Sequence, residues 1–280
     1  MRTIHVNDIT DAVAEMCIEA NIVLAQDMQD ALKKAQETEV SPLGKEILGQ
    51  LQKNMQIAKE DHIAICQDTG MTVVFASVGQ EVHIEGGALT DAINEGVRRG
   101  YRDGYLRKSV VRDPLDRVNT GDNTPAIIHY DIVPGDKLTL TIAPKGAGSE
   151  NMSKSIMLKP ADGVEGVKAA VLQAVKEAGP NACPPMVVGV GIGGNFEKSA
   201  ELAKHALTRP LTAKAQNEAM DALEAEILET INKTGIGPAG LGGRVTALAV
   251  NIETYPTHIA QLPVAVNICC HVNRHSTRTL

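Results

Sequence analysis

Between residues 8 and about 34, apolar side chains return every three or four positions. Ile9, Val13, Met16, Ala20 and Leu24 fall on one face behind Asn7 or Asp8 as a cap, a spacing that predicts an amphipathic helix. A second helix is expected after Ser41-Pro42. Residues 63–66 and 71–78 read as strands split by the turn Gln67-Asp68-Thr69-Gly70, which sets Cys66 at a strand end. Helical spacing resumes over 88–105, with Gly100 and Gly104 marking its end. The polar, turn-rich stretch 107–125 is then a long loop. Loops of that length are commonly functional, so Arg107, Arg112, Arg117 and the tract 119–125 are candidate anion contacts, with a solvated connector as the alternative.

Residues 127–133 and 137–143 alternate around Pro134-Gly135-Asp136 as the arms of a hairpin do. A helix over 162–178 precedes a short apolar strand at 186–191, which opens into Gly193-Gly194-Asn195 and a helix over 198–207. The clearest helix runs from 212 to 234 and is closed by Gly235; a glycine-rich linker, 235–243, separates it from strands at 245–252 and 264–268. Strands and helices mix without strict alternation, and no repeat or low-complexity tract intervenes. The predicted fold is therefore α+β, an irregular α/β arrangement of mixed sheets flanked by helices, in one large domain over residues 1–280.

Composition narrows the function classes. Aromatics make up 2% of the chain, Trp is absent and the formal net charge is -7, which argues against a nucleic-acid binder that needs stacking surfaces and a basic face. No apolar stretch is long enough for a membrane span, and Met1-Arg2-Thr3-Ile4-His5 lacks a signal-peptide core, so a cytoplasmic location is expected. In that setting five cysteines are better read as reduced thiols than as disulfides.

Three of those cysteines stand in uncommon surroundings: Cys66 in Ile65-Cys66-Gln67-Asp68-Thr69-Gly70, Cys183 in Ala182-Cys183-Pro184-Pro185, and Cys270 in Cys269-Cys270-His271-Val272-Asn273-Arg274-His275. Polar, turn-forming neighbours are not what an inert core thiol selects. Three thiolates can hold three irons of a cubane and leave the fourth open as a Lewis acid. No C-x-x-C pair occurs, so a cluster would have to be assembled from distant segments. Cys17, beside the first helical stripe, reads as a small core residue. A G-x-G-x-x-G pattern at 189–194 lies between a strand and a helix, but no second strand ending in an acid follows about 20 residues on. A glycine turn that lets backbone approach closely explains the same residues.

Taken with Leu106-Arg107-Lys108-Ser109, Asp113-Pro114-Leu115, Asn119-Thr120-Gly121-Asp122-Asn123, Lys145-Gly146-Ala147-Gly148-Ser149-Glu150-Asn151-Met152, Gly191-Ile192-Gly193-Gly194 and Thr257-His258-Ile259-Ala260, these motifs run in order along nearly the whole chain. The series resembles the alpha subunit of the iron–sulfur class I fumarate hydratases and L(+)-tartrate dehydratases. The resemblance implies a [4Fe-4S] cluster with one iron not ligated by protein, held by Cys66, Cys183 and Cys270. It places the last ligand immediately before His271; because neighbours on an extended segment point oppositely, Cys270 rather than Cys269 is expected to face the cluster. Gln67, Asp68, Arg107 and His258 are implied to line the substrate pocket, with Gly146 and Gly148 donating backbone contacts. The family usually has a glycine where this chain has Ala147.

The chemistry implied is hydration and dehydration of a 2-hydroxy dicarboxylate, first fumarate to (S)-malate and alternatively L(+)-tartrate. Arg107 is suited to clamp a carboxylate, and Asp68 and His258 to handle protons. His271 and His275 are expected to lie in an exposed tail, with hydrogen bonds to cluster sulfur as the alternative. The chain stops ten residues after Cys270, whereas single-chain relatives continue into a further domain. That difference implies a separate beta subunit, as α2β2, carrying the remaining active-site residues. A redox or iron-sensing cluster protein and a nucleotide-binding enzyme using 189–194 are the readings from other classes.

Overall fold

The computed structural model describes residues 2–280, and the chain divides into two compact units. The first comprises residues 2–25, 54–147 and 274–280; the second comprises 26–53 and 148–273.

In the first unit, helix α1 (Val6–Ile22) starts at His5, whose Nδ1 accepts the Asn7 N–H at 3.1 Å, not at Asn7 or Asp8. Its stripe of Ile9, Val13, Met16 and Ala20 is buried. Val23 turns extended at φ -122°, ψ 120°, so the stripe over 8–34 belongs to two helices: α1 and, in the second unit, α2 (Gln26–Thr38). The break falls at the β-branched pair Ile22-Val23, which is stiff at χ1 and propagates a helix poorly. The helix after Ser41 is α3 (Pro42–Asp61), with proline in its first turn, and the fourth, α4, covers Leu89–Asp103.

Strand β2 (Met71–Gly79) is central in a sheet with β4 (Ile127–Val133), β5 (Leu138–Lys145) and β10 (Ser276–Thr279), in the order β10-β5-β2-β4. A second, two-stranded sheet pairs β1 (Arg2–His5) with β3 (Val82–Glu85) in parallel. The hairpin expected from 127–133 and 137–143 does not form, because β2 lies between its arms, parallel to β4 and antiparallel to β5. The Pro134-Gly135-Asp136 turn instead wraps the end of β2: Gly79 N–H donates to Lys137 O and Gln80 N–H to Val133 O. Alternation alone identifies two half-buried strands but not the strand between them. Residues 63–66, also expected as a strand, are irregular.

The second unit is built on β7 (Met186–Gly193), flanked by β8 (Ala247–Tyr255) in parallel and β9 (Leu262–Cys269) antiparallel, with β6 (Lys154–Leu158) outside β9. Val188 and Val190 point into a core with Val171 and Val175 of α6 (Gly163–Ala178) and Ile227 and Ile231 of α8 (Glu218–Asn232). The alternate residues of β7, Gly189 and Gly191, face α7 (Phe196–Ala206). A Cβ on Gly189 would sit 2.1 Å from the Ala203 carbonyl oxygen, and one on Gly191 2.0 Å from that of Ser199. Gly189 and Gly191 thus serve close helix–sheet approach, and Asn195 caps α7 by accepting the Lys198 N–H at 3.0 Å. The helix expected over 212–234 begins only at Glu218, where Asn217 caps Met220 N–H. Mixed sheets with flanking helices make the fold α+β, as expected, and no helix among the described residues is long and apolar enough to cross a membrane.

Candidate active site

Cys66 sits in a pinned loop of the first unit rather than at a strand end. Ile65 donates its N–H to Asn21 O, and its own carbonyl accepts Asn54 Nδ2 at 2.8 Å. These bonds leave the Cys66 side chain half-buried, with its Sγ accepting the Asp68 N–H at 3.4 Å. The same Sγ lies 3.5 Å from Gln67 Oε1, to which the thiol donates. Both oxygens of the Asp68 carboxylate accept backbone bonds: Oδ1 from Gly70 (3.0 Å) and Oδ2 from Ala147 (2.8 Å). Asp68 therefore joins the Cys66 loop to the Gly146-Ala147 turn. A Cβ on Gly146 would lie 3.1 Å from Asp68 Oδ2. Ala147 is accommodated because it opens the short helix α5 (Ala147–Glu150). Thr69 Oγ1 donates to the Arg107 carbonyl at 3.0 Å and leaves the Arg107 side chain exposed. Gln67, Asp68, Arg107 and Gly146 are thus brought together in one unit.

Three residues that periodicity did not single out hold this arrangement. Tyr101, fully buried, donates from its hydroxyl to Thr69 O (2.7 Å) and shares the bond with Gly70 O (3.1 Å). Asn123 donates to Gly70 O at 3.1 Å while its Oδ1 accepts the N–H groups of Ser109 (2.7 Å) and Val110 (3.2 Å). Arg274, 5% exposed, donates from Nε to Pro144 O and from Nη2 to Asp68 O. It makes no ion pair among the described residues, and its Nη1 is buried without a partner, so it contributes a positive charge to the interior beside Asp68. The tract 119–125 is ordered and buttresses the loop. Burial works against the Asp122 carboxylate, but bonds from the Thr124 N–H and hydroxyl and from Arg98 hold its pKa down to about 2. Arg112 and Arg117 are exposed, Arg117 donating to Pro114 O. Asn123→Ala leaves the Ser109 and Val110 N–H groups without their acceptor and Gly70 O with the Tyr101 hydroxyl alone; a loss of about 1–3 kcal/mol is expected by denaturant unfolding.

The second unit carries the other two cysteine motifs. Cys183 ends the turn Gly179–Ala182 in left-handed conformation (φ 52°, ψ 63°), and its side chain is exposed. Its carbonyl accepts two bonds from His271, the backbone N–H at 3.4 Å and the ring Nδ1–H at 3.0 Å. Because Cys270 precedes His271, this double contact ties the two cysteine segments together. Burial lowers the His271 pKa against the pull of the Cys183 carbonyl, which suits a neutral ring with its proton on Nδ1. The exposed tail expected for His271 and His275 is absent: Val272, Asn273 and Arg274 are buried, and β10 follows. Cys269 is buried within β9, whereas Cys270, past the strand end, is partly exposed. Cys17 is fully buried, which pushes its thiol up to about 12, so it stays protonated near neutral pH. No disulfide joins any of the five cysteines, and within either unit no three His, Cys, Asp or Glu side chains gather as a metal site among the described residues.

His258 lies exposed in the loop after β8, fastened by Thr257 Oγ1 and Gln261 Nε2, which both donate to Gly194 O. The Ala260 N–H donates to His258 Nδ1 at 3.1 Å, so the neutral ring carries its proton on Nε2. Gly148 is exposed. Two residues on, the Glu150 carboxylate pairs with Lys204 and accepts Asn267 Nδ2 at 2.9 Å, which anchors this motif to β9.

Residues 10–279 match the fumarate hydratase (Fumerase) family. The chain belongs to that family. Membership places it among hydro-lyases. A Methanocaldococcus jannaschii protein provisionally named L(+)-tartrate dehydratase subunit alpha is 41% identical over 278 residues, covering 97% of both chains. L(+)-tartrate dehydratase subunit alpha of Escherichia coli is 34% identical over 97% of this chain and 90% of its own length. The Shigella sonnei protein of the same name is 33% identical over the same shares.

Proposed function

We propose that this chain is the alpha subunit of an iron–sulfur hydro-lyase that removes water from a 2-hydroxy dicarboxylate, with L(+)-tartrate as the preferred substrate. The carrying observation is end-to-end similarity to proteins named for that reaction, up to 41% identical. It reverses the order expected from the motifs, which put fumarate first. The fumarate/malate reaction remains the second reading, favoured by the name of the family itself. Water loss breaks a C–H bond on one carbon and the C–O bond on the next.

Cys66, Cys183 and Cys270 are the proposed ligands of a [4Fe-4S] cluster. The donor set fits: one half-buried thiol receives a backbone N–H, and two others sit on segments tied by His271, one exposed and one past a strand end. When bound, such a cluster supplies an iron with an open position, a Lewis acid for the departing hydroxyl. Arg107 presents a guanidinium to one substrate carboxylate, and Gln67, also exposed, offers an amide. The Asp68 carboxylate is an acceptor whose orientation is fixed by Gly70 and Ala147. His258, with its proton on Nε2, is a donor rather than a base in this tautomer. Gly146 and Gly148 are the proposed backbone contacts.

The relatives are named as alpha subunits, so a beta partner carrying the remaining groups is part of the reading, as α2β2. A cytoplasmic compartment, which keeps thiols reduced, suits five cysteines without a disulfide. Steady-state kinetics of the complex with its beta partner provide the test. A kcat/KM for L(+)-tartrate above that for (S)-malate is expected; the reverse order would move the assignment to fumarate hydratase, and no turnover of either would overturn both.

A further inference from the structure

Glu39 lies far from every candidate site residue in sequence and follows α2 directly. It is 2% exposed, and no cation pairs with it among the described residues. Its charge is met by backbone alone: Oε1 accepts the N–H groups of Val40 (2.7 Å), Ser41 (2.9 Å) and Arg244 (2.8 Å), and Oε2 those of Arg244 (2.9 Å) and Val245 (2.7 Å). A carboxylate so bound is a strong, directional anchor, and Gly243 leaves the space for it, since a Cβ there would lie 2.8 Å from Glu39 Oε1.

The anchored strap is the glycine-rich segment 235–243, for which the chemistry above has no use. Its far side is built against the Cys183 turn. Ala239 donates its N–H to Pro184 O at 2.9 Å, and Gly240 packs on Pro180, where a Cβ would come within 2.3 Å of the Pro180 Cβ. Pro180 O in turn accepts the Cys183 N–H, and Cys183 O accepts both bonds from His271. The path from Glu39 to Cys183 and on to Cys270 consists of hydrogen bonds and packed backbone within one unit.

Resting on the cluster reading above, we infer that Glu39 is a positioning residue for the cluster ligands. It seats the 235–243 strap against the Pro180–Pro184 turn and so fixes where the Cys183 thiol stands relative to Cys270. Glutamine at 39 turns an NH2 group toward backbone donors and loses part of the anchor; aspartate keeps the charge but withdraws it by one methylene.

The full-length chain, reconstituted anaerobically with iron and sulfide, is compared as wild type, Glu39→Gln, Glu39→Asp and the control Asp27→Asn. Asp27 accepts the Leu211 N–H in the same unit but does not touch the strap. Iron loss to a chelator is expected to be at least ten-fold faster in Glu39→Gln, less so in Glu39→Asp and unchanged in Asp27→Asn, with an altered EPR signature of the reduced cluster. In the cluster-free chains, amide exchange should rise at Ala239, Cys183 and His271 and stay at wild-type levels in β7 and β8. Wild-type iron retention and exchange in both Glu39 variants would overturn the inference. So would an exchange increase spread evenly over β7 and β8, which marks general destabilisation. Should Glu39→Gln not melt cooperatively, Glu39→Asp decides by the same readings. Failure of the wild type to take up iron would sink the cluster reading instead, and the exchange pattern then judges the strap alone.

Discussion

Replacing Cys66, Cys183 or Cys270 singly with serine is expected to abolish the bound iron and to cut turnover by about 10³-fold or more, the several kcal/mol that Lewis-acid stabilisation supplies. Serine is nearly isosteric but remains a protonated hydroxyl at neutral pH, so it keeps the local fold while removing a thiolate. Compared as cluster-free chains, the three variants should unfold thermally close to wild type, because these side chains are exposed or only partly buried. The opposite pattern is expected for Cys17→Ser and Cys269→Ser. Both place a hydroxyl where the thiol is buried, at about 1–3 kcal/mol, yet iron and sulfide per chain should not change. Iron analysis beside a melting curve separates the two classes; retention of iron in any of the first three, or its loss in either of the last two, would require a different ligand set.

Arg107→Met is expected to lower kcat/KM for the dicarboxylate by about 10²–10³-fold, equivalent to about 3–4 kcal/mol for two charge-assisted bonds to a carboxylate. Arg107 enters its loop through its carbonyl, which accepts Thr69 Oγ1. The guanidinium is therefore not needed for folding, and the melting temperature should hold. Arg107→Lys should recover only part of the loss, since a point charge replaces a planar fork. Equal loss with a monocarboxylate and a dicarboxylate substrate would argue against a carboxylate clamp. Loss confined to the dicarboxylate would support it.

Much of this molecule can be read directly from its residues. The stripes of α6 and α7 and the apolar runs of β7, β8 and β9 appear where periodicity places them, because each buries a face that the sequence marks plainly. What escapes is non-local. The insertion of β2 between β4 and β5 depends on pairing across the chain, and α1 and α2 share one apolar rhythm although their helices part at Val23. Strands β1, β3 and β10 are four residues each, too short for a two-residue alternation to stand out. The cysteine, arginine and glycine motifs named the candidate site residues. Their supports Tyr101, Arg274 and Glu39 act through backbone carbonyls and N–H groups of distant segments, which leave no mark in the spacing; Asn123 was marked only as part of the 119–125 tract, for a different role. The one available signal for Arg274 was its position four residues after Cys270 in an otherwise buried stretch.

Strand β10 lies against β5, and Leu280 exchanges backbone bonds in both directions with Leu138. The first unit is thus completed late: Arg274 and the edge strand are synthesised only after the whole 148–273 stretch has been made. During synthesis the sheet edge of β5 stays unpaired and the Asp68 loop lacks its guanidinium, so the nascent chain has an interval in which chaperone protection matters most.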